Sequence, residues 1–255
     1  MSKKNNDKWS ITEKRFIAYF DILGFKDRVM RDEHEAIYEA LASIDENTLH
    51  SFLETQEARN LFLDSGICIT KFSDSIALFS KKDTVEDFIL FLISTRFLFS
   101  SFLKAGFLMK GGMAYGNISL DKNKQLYFGQ PIIDACLLQE EVDYIGVVAH
   151  NSIEEFQQKI GKTNKKFYTA STQLLFEGKS PLKKSGLVTH LNLNWFPHLA
   201  NKESNNNDTK KDIIAALKKY YLNVSGSPRR YIDNTIDFIN KNKEIYLDSV
   251  SLPSE

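Results

Sequence analysis

The sequence predicts an α+β fold in which helices cover one face of a β-sheet. Three stretches carry that reading. Residues 16–20 are apolar, run straight into Asp21, and are followed by Ile22, Leu23, Gly24 and Phe25. That is the pattern of a buried strand ending in a carboxylate and a glycine turn. Residues 67–80 hold two β-rich runs around Ser73, Asp74 and Ser75, which read as a hairpin with an aspartate at its tip. Residues 107–120 form a strand containing Gly111, Gly112 and Gly116. Glycines inside a strand mark a bulge or the close approach of another backbone or a ligand.

The remaining elements follow in chain order. Residues 1–11 are polar and expected to be loose. Between residues 33 and 53, Ile37, Leu41, Ile44, Leu49 and Phe52 fall near helical spacing, so one or two helices are expected. Residues 88–103 are the most apolar stretch, broken by Arg96 and several serines, and read as a helix buried on most sides. A polar turn at 121–124 precedes a short strand at 126–128. Gly129, Gln130 and Pro131 then open a helix, with the proline suited to its first turn. That helix carries Ile132, Ile133, Ala135, Cys136, Leu137 and Leu138, and a further strand is expected at 145–149. Beyond residue 151 the periodicity weakens. Residues 187–196 alternate like a strand, 201–208 form an asparagine-rich loop, and amphipathic helices are expected near 211–222 and 228–242. The whole reads as one domain, with its core at 12–150 and C-terminal strands and helices at 151–255.

Composition excludes several classes. The 255 residues are 42% hydrophobic and 26% charged, an ordinary globular balance. The formal net charge is zero, so no global field draws nucleic acid. The stretch at 88–103 falls short of a membrane span, and the first ten residues lack the apolar core of a signal peptide. Two cysteines, Cys68 and Cys136, make no disulfide framework, which suits a reducing cytoplasm. Gly161-Lys162-Thr163 and Gly178-Lys179-Ser180 imitate the end of a phosphate loop, but Phe156 and Gln173 stand where that motif needs its first glycine. The five histidines show no zinc-ligand spacing.

One constellation remains. A buried carboxylate is costly unless it is paired or holds a cation. Asp21 at a strand end and Asp74 at a hairpin tip of the same sheet can meet across neighbouring strands and share two divalent cations, which clamp the attacking and leaving oxygens of an in-line displacement. Magnesium and manganese suit such an all-oxygen environment. The glycine turn after Asp21 offers backbone N–H groups to an anion. Lys110, just before the glycine pair, is placed to neutralise phosphate charge. The plainer alternative makes Asp21 a helix cap and Asp74 a turn former. The strand order and the glycine-rich strand, taken with both carboxylates, favour the metal reading.

These segments together, FIAYFDILGF, KFSDSIALF, MKGGMAYG and FGQPIIDACLLQE, resemble the catalytic domain of class III nucleotidyl cyclases. Within that family they are most similar to the pyrimidine nucleotide cyclases of bacterial Pycsar antiphage systems. The resemblance covers about residues 16–149 and, more loosely, the C-terminal part. It implies a ferredoxin-like cyclase sheet in a head-to-tail homodimer that builds its sites between subunits. It also implies that Asp21, Asp74 and the Ile22 carbonyl hold two Mn²⁺ or Mg²⁺ ions, and that Leu23, Gly24 and Phe25 cradle the triphosphate. The substrate's 3′-hydroxyl would attack the α-phosphate and pyrophosphate would leave.

The departures from the adenylate cyclase pattern bear on the base. Thr70 stands at the spacing of that family's base-reading lysine, and Leu126 at that of its aspartate. Ile133 and Leu137 occupy the spacings of the Asn and Arg that steady the transition state. Lys71, Arg96 and Lys110 are the basic candidates left for that work. The expectation is a cyclase that converts UTP, or CTP, to the cyclic nucleotide, with Thr70 and Lys71 near the base. Its product would act on a separate cyclic-nucleotide-responsive effector in antiviral defence, without nucleic-acid binding or membrane insertion. The alternatives are a class III purine cyclase and a non-catalytic, nucleotide-binding relative.

Overall fold

Strand β1 (Thr12–Ile22) lies between two others and sends alternate side chains to opposite faces of the sheet. Phe16, Ala18, Phe20 and Ile22 enter the main core, while Ile17 joins a smaller core on the other face. Burial on both faces explains why this run lacks polar alternation. The computed structural model describes residues 9–45, 56–196, 206–222 and 226–242. The expected helical positions Leu49 and Phe52, and much of the asparagine-rich loop, lie outside the described residues.

After β1 come α1 (Phe25–Arg31), α2 (His34–Ala42) and α3 (Gln56–Leu61), then the hairpin β2 (Ile67–Phe72) and β3 (Ser75–Ser80). Helix α4 (Val85–Lys104) leads to β4 (Met109–Asp121), β5 (Leu126–Phe128), α5 (Gln130–Glu141) and β6 (Val147–Ala149). The remainder is α6 (Asn151–Thr163), α7 (Lys165–Leu174), the hairpin β7 (Leu175–Leu182) and β8 (Gly186–Leu193), α8 (Asn206–Lys219) and α9 (Ser227–Lys241). Among the described residues the sheet runs β2-β3-β1-β4-β6-β8-β7, with β5 paired to β4. In the order β2, β3, β1, β4 each strand is antiparallel to its neighbour, and helices link β1 to β2 and β3 to β4. This is the interleaved βαββαβ arrangement of ferredoxin-like sheets. Strand β6 joins β4 in parallel and carries the β8–β7 hairpin beyond it.

Helix α4 is buried on most sides, as its composition predicts. Thr84 caps it, accepting from the Asp87 amide at 3.1 Å and donating to the Asp87 carboxylate at 2.8 Å. No described helix is long and apolar enough to cross a membrane. Where α4 meets β1, the Phe16 ring touches those of Phe88, Phe91, Tyr115 and Phe156 at centroid distances of 4.9, 5.6, 4.9 and 4.8 Å. Emptying a buried aromatic position of this kind costs about 3–5 kcal/mol, so this cluster anchors β1.

The helices do not keep to one face. Helix α5 packs across β4 and β1 on the side opposite α4, and Ala135 enters the smaller core there. Gly112 makes this possible, because a Cβ at that position would lie 2.4 Å from the Ala135 carbonyl oxygen. Gly112 therefore reports a close helix–strand contact, whereas a Cβ at Gly111 would meet the Phe20 ring of β1 at 2.7 Å.

The stretch between α5 and β6 is held from the far end of the chain. Arg230 Nη2 donates to Asp143 Oδ1 at 2.9 Å, and Asn234 Nδ2 donates to Asp143 Oδ2 at 3.0 Å and to its carbonyl at 2.7 Å. The Thr235 hydroxyl accepts from the Ile145 amide at 2.8 Å. The two phosphate-loop imitations fall at the end of α6 and inside β7. Neither position forms the strand–loop–helix that the motif requires.

Candidate active site

Strand register brings one row of side chains together. Lys110 of β4 pairs with Asp21 of β1, Asp21 with Ser75 of β3, and Ser75 with Phe72 of β2. The neighbouring row on the same face is Gly112, Tyr19, Ala77 and Thr70. By strand alternation both rows share the face of Ile17, Phe79 and Ala114, the face that α5 partly covers.

The end of β1 is fixed on both sides. The Ile22 amide donates to the Asp74 carbonyl at 2.9 Å, and the Leu23 amide donates to the Leu108 carbonyl at 2.8 Å. The first bond holds the hairpin tip against the strand end, which brings Asp74 beside Asp21, and its charge is felt at the Asp21 carboxyl. Ser73 enters the hairpin turn with φ 55°, an uncommon value for a residue with a side chain. Gly24 then turns the chain into α1 with φ 71°, and no side chain caps the helix. The amides of that first turn have no intrahelical acceptor.

Burial pushes the Asp21 carboxyl above its usual range; Lys110 opposes that shift and Asp74 adds to it. Two carboxylates held this way are relieved by a cation between them. Among the described residues no group of three His, Cys, Asp or Glu side chains forms a metal cage. The donors present are two carboxylates and backbone carbonyls, all oxygen. That set fits magnesium or manganese, which commonly draw their other ligands from water and substrate phosphates.

The other predicted residues separate. Lys110 is 4% exposed, and its Nζ donates to the carbonyls of Gln139 at 2.9 Å and Glu140 at 3.3 Å, at the end of α5. Burial and the neighbouring Lys183 bring it down to about 8. Thr70 lies one row from Asp21 on the same face. Lys71, its neighbour in sequence, projects to the opposite face and donates to the carbonyls of Leu41 and Ile44. It is not brought together with the carboxylates. Buried Arg96 lies on α4, across the sheet from Asp21; burial lowers it to about 10. Ile133 and Leu137 point outward from α5, 53% and 56% exposed.

Three residues at the site went unread in the sequence. The Tyr19 hydroxyl donates to Ser75 Oγ at 2.8 Å and also meets the Cys136 thiol, which burial pushes up. Tyr19 and Ser75 follow by counting two along their strands once Asp21 is placed. Cys136 needs the Gly112 contact to be known first.

No family model matches the chain, and no curated protein sequence matches it. Solved structures do. A bacterial light-regulated adenylyl cyclase aligns with TM-score 0.44 at 11% identity, over 80% of this chain and 98% of its own. The catalytic core of a rhodopsin-guanylyl cyclase with converted specificity, in complex with ATPαS, aligns with TM-score 0.44 at 12% identity, over 72% of this chain and 98% of its own. A second structure of a bacterial light-regulated adenylyl cyclase gives TM-score 0.45 at 12% identity, over 82% of this chain and 57% of its own.

Proposed function

We propose that this chain is a metal-dependent nucleotidyl cyclase that converts UTP, or CTP, to the 3′,5′-cyclic nucleotide and pyrophosphate. The observation that carries the reading is the Ile22–Asp74 backbone bond of 2.9 Å, which closes the hairpin tip onto the end of β1. It sets two carboxylates beside an uncapped, glycine-led helix start.

Two divalent cations at such a site polarise the α-phosphoryl group and ease loss of the 3′-hydroxyl proton. Asp21, Asp74 and the Ile22 carbonyl are the groups to hold them. The Leu23 amide is already committed to Leu108, so Gly24 and Phe25 carry the backbone part of the triphosphate cradle. Lys110 forms the floor beneath Asp21 and offsets its charge. Attack by the 3′-oxygen on the α-phosphorus in line with the leaving pyrophosphate closes the ring. The product then serves as a second messenger, acting on a separate effector in antiviral defence, as the family resemblance implies.

Thr70 supports the pyrimidine assignment. A hydroxyl there makes a hydrogen bond to either uracil or cytosine, and Leu126, 52% exposed on β5, offers none to a purine edge. With the four ribonucleotides at equal concentration and Mn²⁺, UTP or CTP is expected to turn over at least about tenfold faster than ATP or GTP. Mass analysis of the products reads the result. Cyclic AMP or cyclic GMP as the main product would favour the purine alternative.

The active species is proposed to be a homodimer. Phe72 is 81% exposed on the Asp21 face, and Ile133 and Leu137 form an exposed apolar pair one turn apart on α5. A second copy of the chain covers them. The double change Ile133→Glu and Leu137→Glu is expected to give monomers in sedimentation and to lose most activity. Full activity in a monomer contradicts this.

A further inference from the structure

The last turn of α5 organises two lysines. Its carbonyls at Gln139 and Glu140 accept from Lys110 Nζ, and the next one, at Glu141, accepts from the Lys183 amide at 2.8 Å. Val142 bridges to Leu182, and the Asp143 amide donates to the Pro181 carbonyl at 2.9 Å. The end of β7 is therefore stitched to the end of α5, and the turn that follows it is carried to the Asp21 row. The negative end of a helix favours cations within its last turn.

The two lysines differ in what they are free to do. Lys110 is buried, its ammonium is used by two carbonyls, and the neighbouring Lys183 lowers its pKa further. Lys183 is exposed on the β7–β8 turn. Its side chain meets Lys110 and Tyr231, and its charge is felt at the Asp21 carboxyl. Nearby Arg230 is already paired to Asp143 at 2.9 Å, and Lys184 to Glu141 at 3.0 Å. Two amines set side by side repel when both are charged, and an anion laid against them removes that cost.

We infer that Lys183 is the phosphate-contacting cation of the site, reaching from the C-terminal hairpin to the polyphosphate of a nucleotide held at Asp21 and Asp74 of the same chain. The inference rests on the nucleotide reading above for the identity of the anion. It goes beyond that reading by placing the exposed positive charge outside residues 12–150, on a turn with no motif. Lys110 is then the fixed floor, and Lys183 the arm that closes on phosphate.

The experiment measures binding of inorganic tripolyphosphate and of a non-hydrolysable UTP analogue, each with Mn²⁺, by calorimetry. It compares wild type with Lys183→Ala, Lys183→Arg and Lys184→Ala, with melting temperatures recorded for all four. Lys183→Ala is expected to weaken both ligands by about tenfold or more, the scale of a lost charge-assisted contact. Lys183→Arg is expected to restore most of the affinity. Lys184→Ala, one residue along the same turn, is expected to stay within about twofold of wild type. In turnover the loss should fall mainly on KM. Wild-type affinity in Lys183→Ala overturns the assignment and leaves the nucleotide reading standing. Absence of binding by the wild-type protein overturns both.

Discussion

Asp74→Ala and, separately, Asp21→Asn are expected to reduce turnover on the order of a thousandfold while the fold survives. Each removes one of the two aspartates that the hairpin tip and the end of β1 bring together. The stability readout separates this from simple unfolding. Burial and Asp74 raise the folded-state Asp21 above its ordinary value. An acid raised on folding stabilises the protein while protonated and loses that contribution as pH rises through its folded value. Near neutral pH, without metal, Asp21→Asn should therefore melt at or above the wild-type temperature. Added Mn²⁺ should raise the wild-type melting temperature and leave both variants unmoved, because binding to the native state alone stabilises it by mass action. Wild-type turnover in either variant, or an equal Mn²⁺ shift in all three proteins, contradicts the two-carboxylate assignment.

Gly112→Val is expected to be strongly destabilising, costing about 3 kcal/mol or more. The added Cβ would lie 2.4 Å from the Ala135 carbonyl and 3.1 Å from the Gln139 amide nitrogen. Both are backbone, so no rotamer change relieves the clash, and α5 must lift from β4. That displacement also carries the carbonyls that hold Lys110. Gly24→Ala makes the useful contrast. Nothing lies within 4 Å of a Cβ there, but φ is 71°, so the cost is local strain of about 1–2 kcal/mol. Urea midpoints order the two variants. A Gly112→Val protein as stable as Gly24→Ala would mean that α5 sits further from the sheet than described.

Sequence legibility followed hydrophobicity. Residues 12–150 carry long apolar runs, and their strands and helices appear close to the expected positions. The amphipathic helices α8 and α9 were also legible, because Ile213 and Leu217, then Ile232, Thr235 and Ile239, repeat at helical spacing. Between residues 151 and 182 the signal was diluted. Helix α6 buries Ile153, Phe156 and Ile160 among many polar residues, and β7 contains Gly178 and Pro181, which are uncommon inside strands. The two aspartates were legible because each interrupts an apolar run. The fate of Lys71 was legible in principle: adjacent residues of a strand face opposite ways, so Thr70 and Lys71 cannot both line one site. Lys183 was not legible, since only the stitching of β7 to α5 places it near Asp21.

The bonds from α9 to Asp143 and Ile145 have a consequence for synthesis. Their partners are 87 to 91 residues apart in the chain, which is about 5–20 seconds of translation at roughly 5–20 residues per second. During that interval a nascent chain on the ribosome holds both aspartates but not the helix that fixes the stretch between α5 and β6. The stretch between α5 and β6 is therefore pinned late, only after α9 has been made and has docked. Chain order alone thus sets the last step of assembly, the docking of α9 onto residues made long before it.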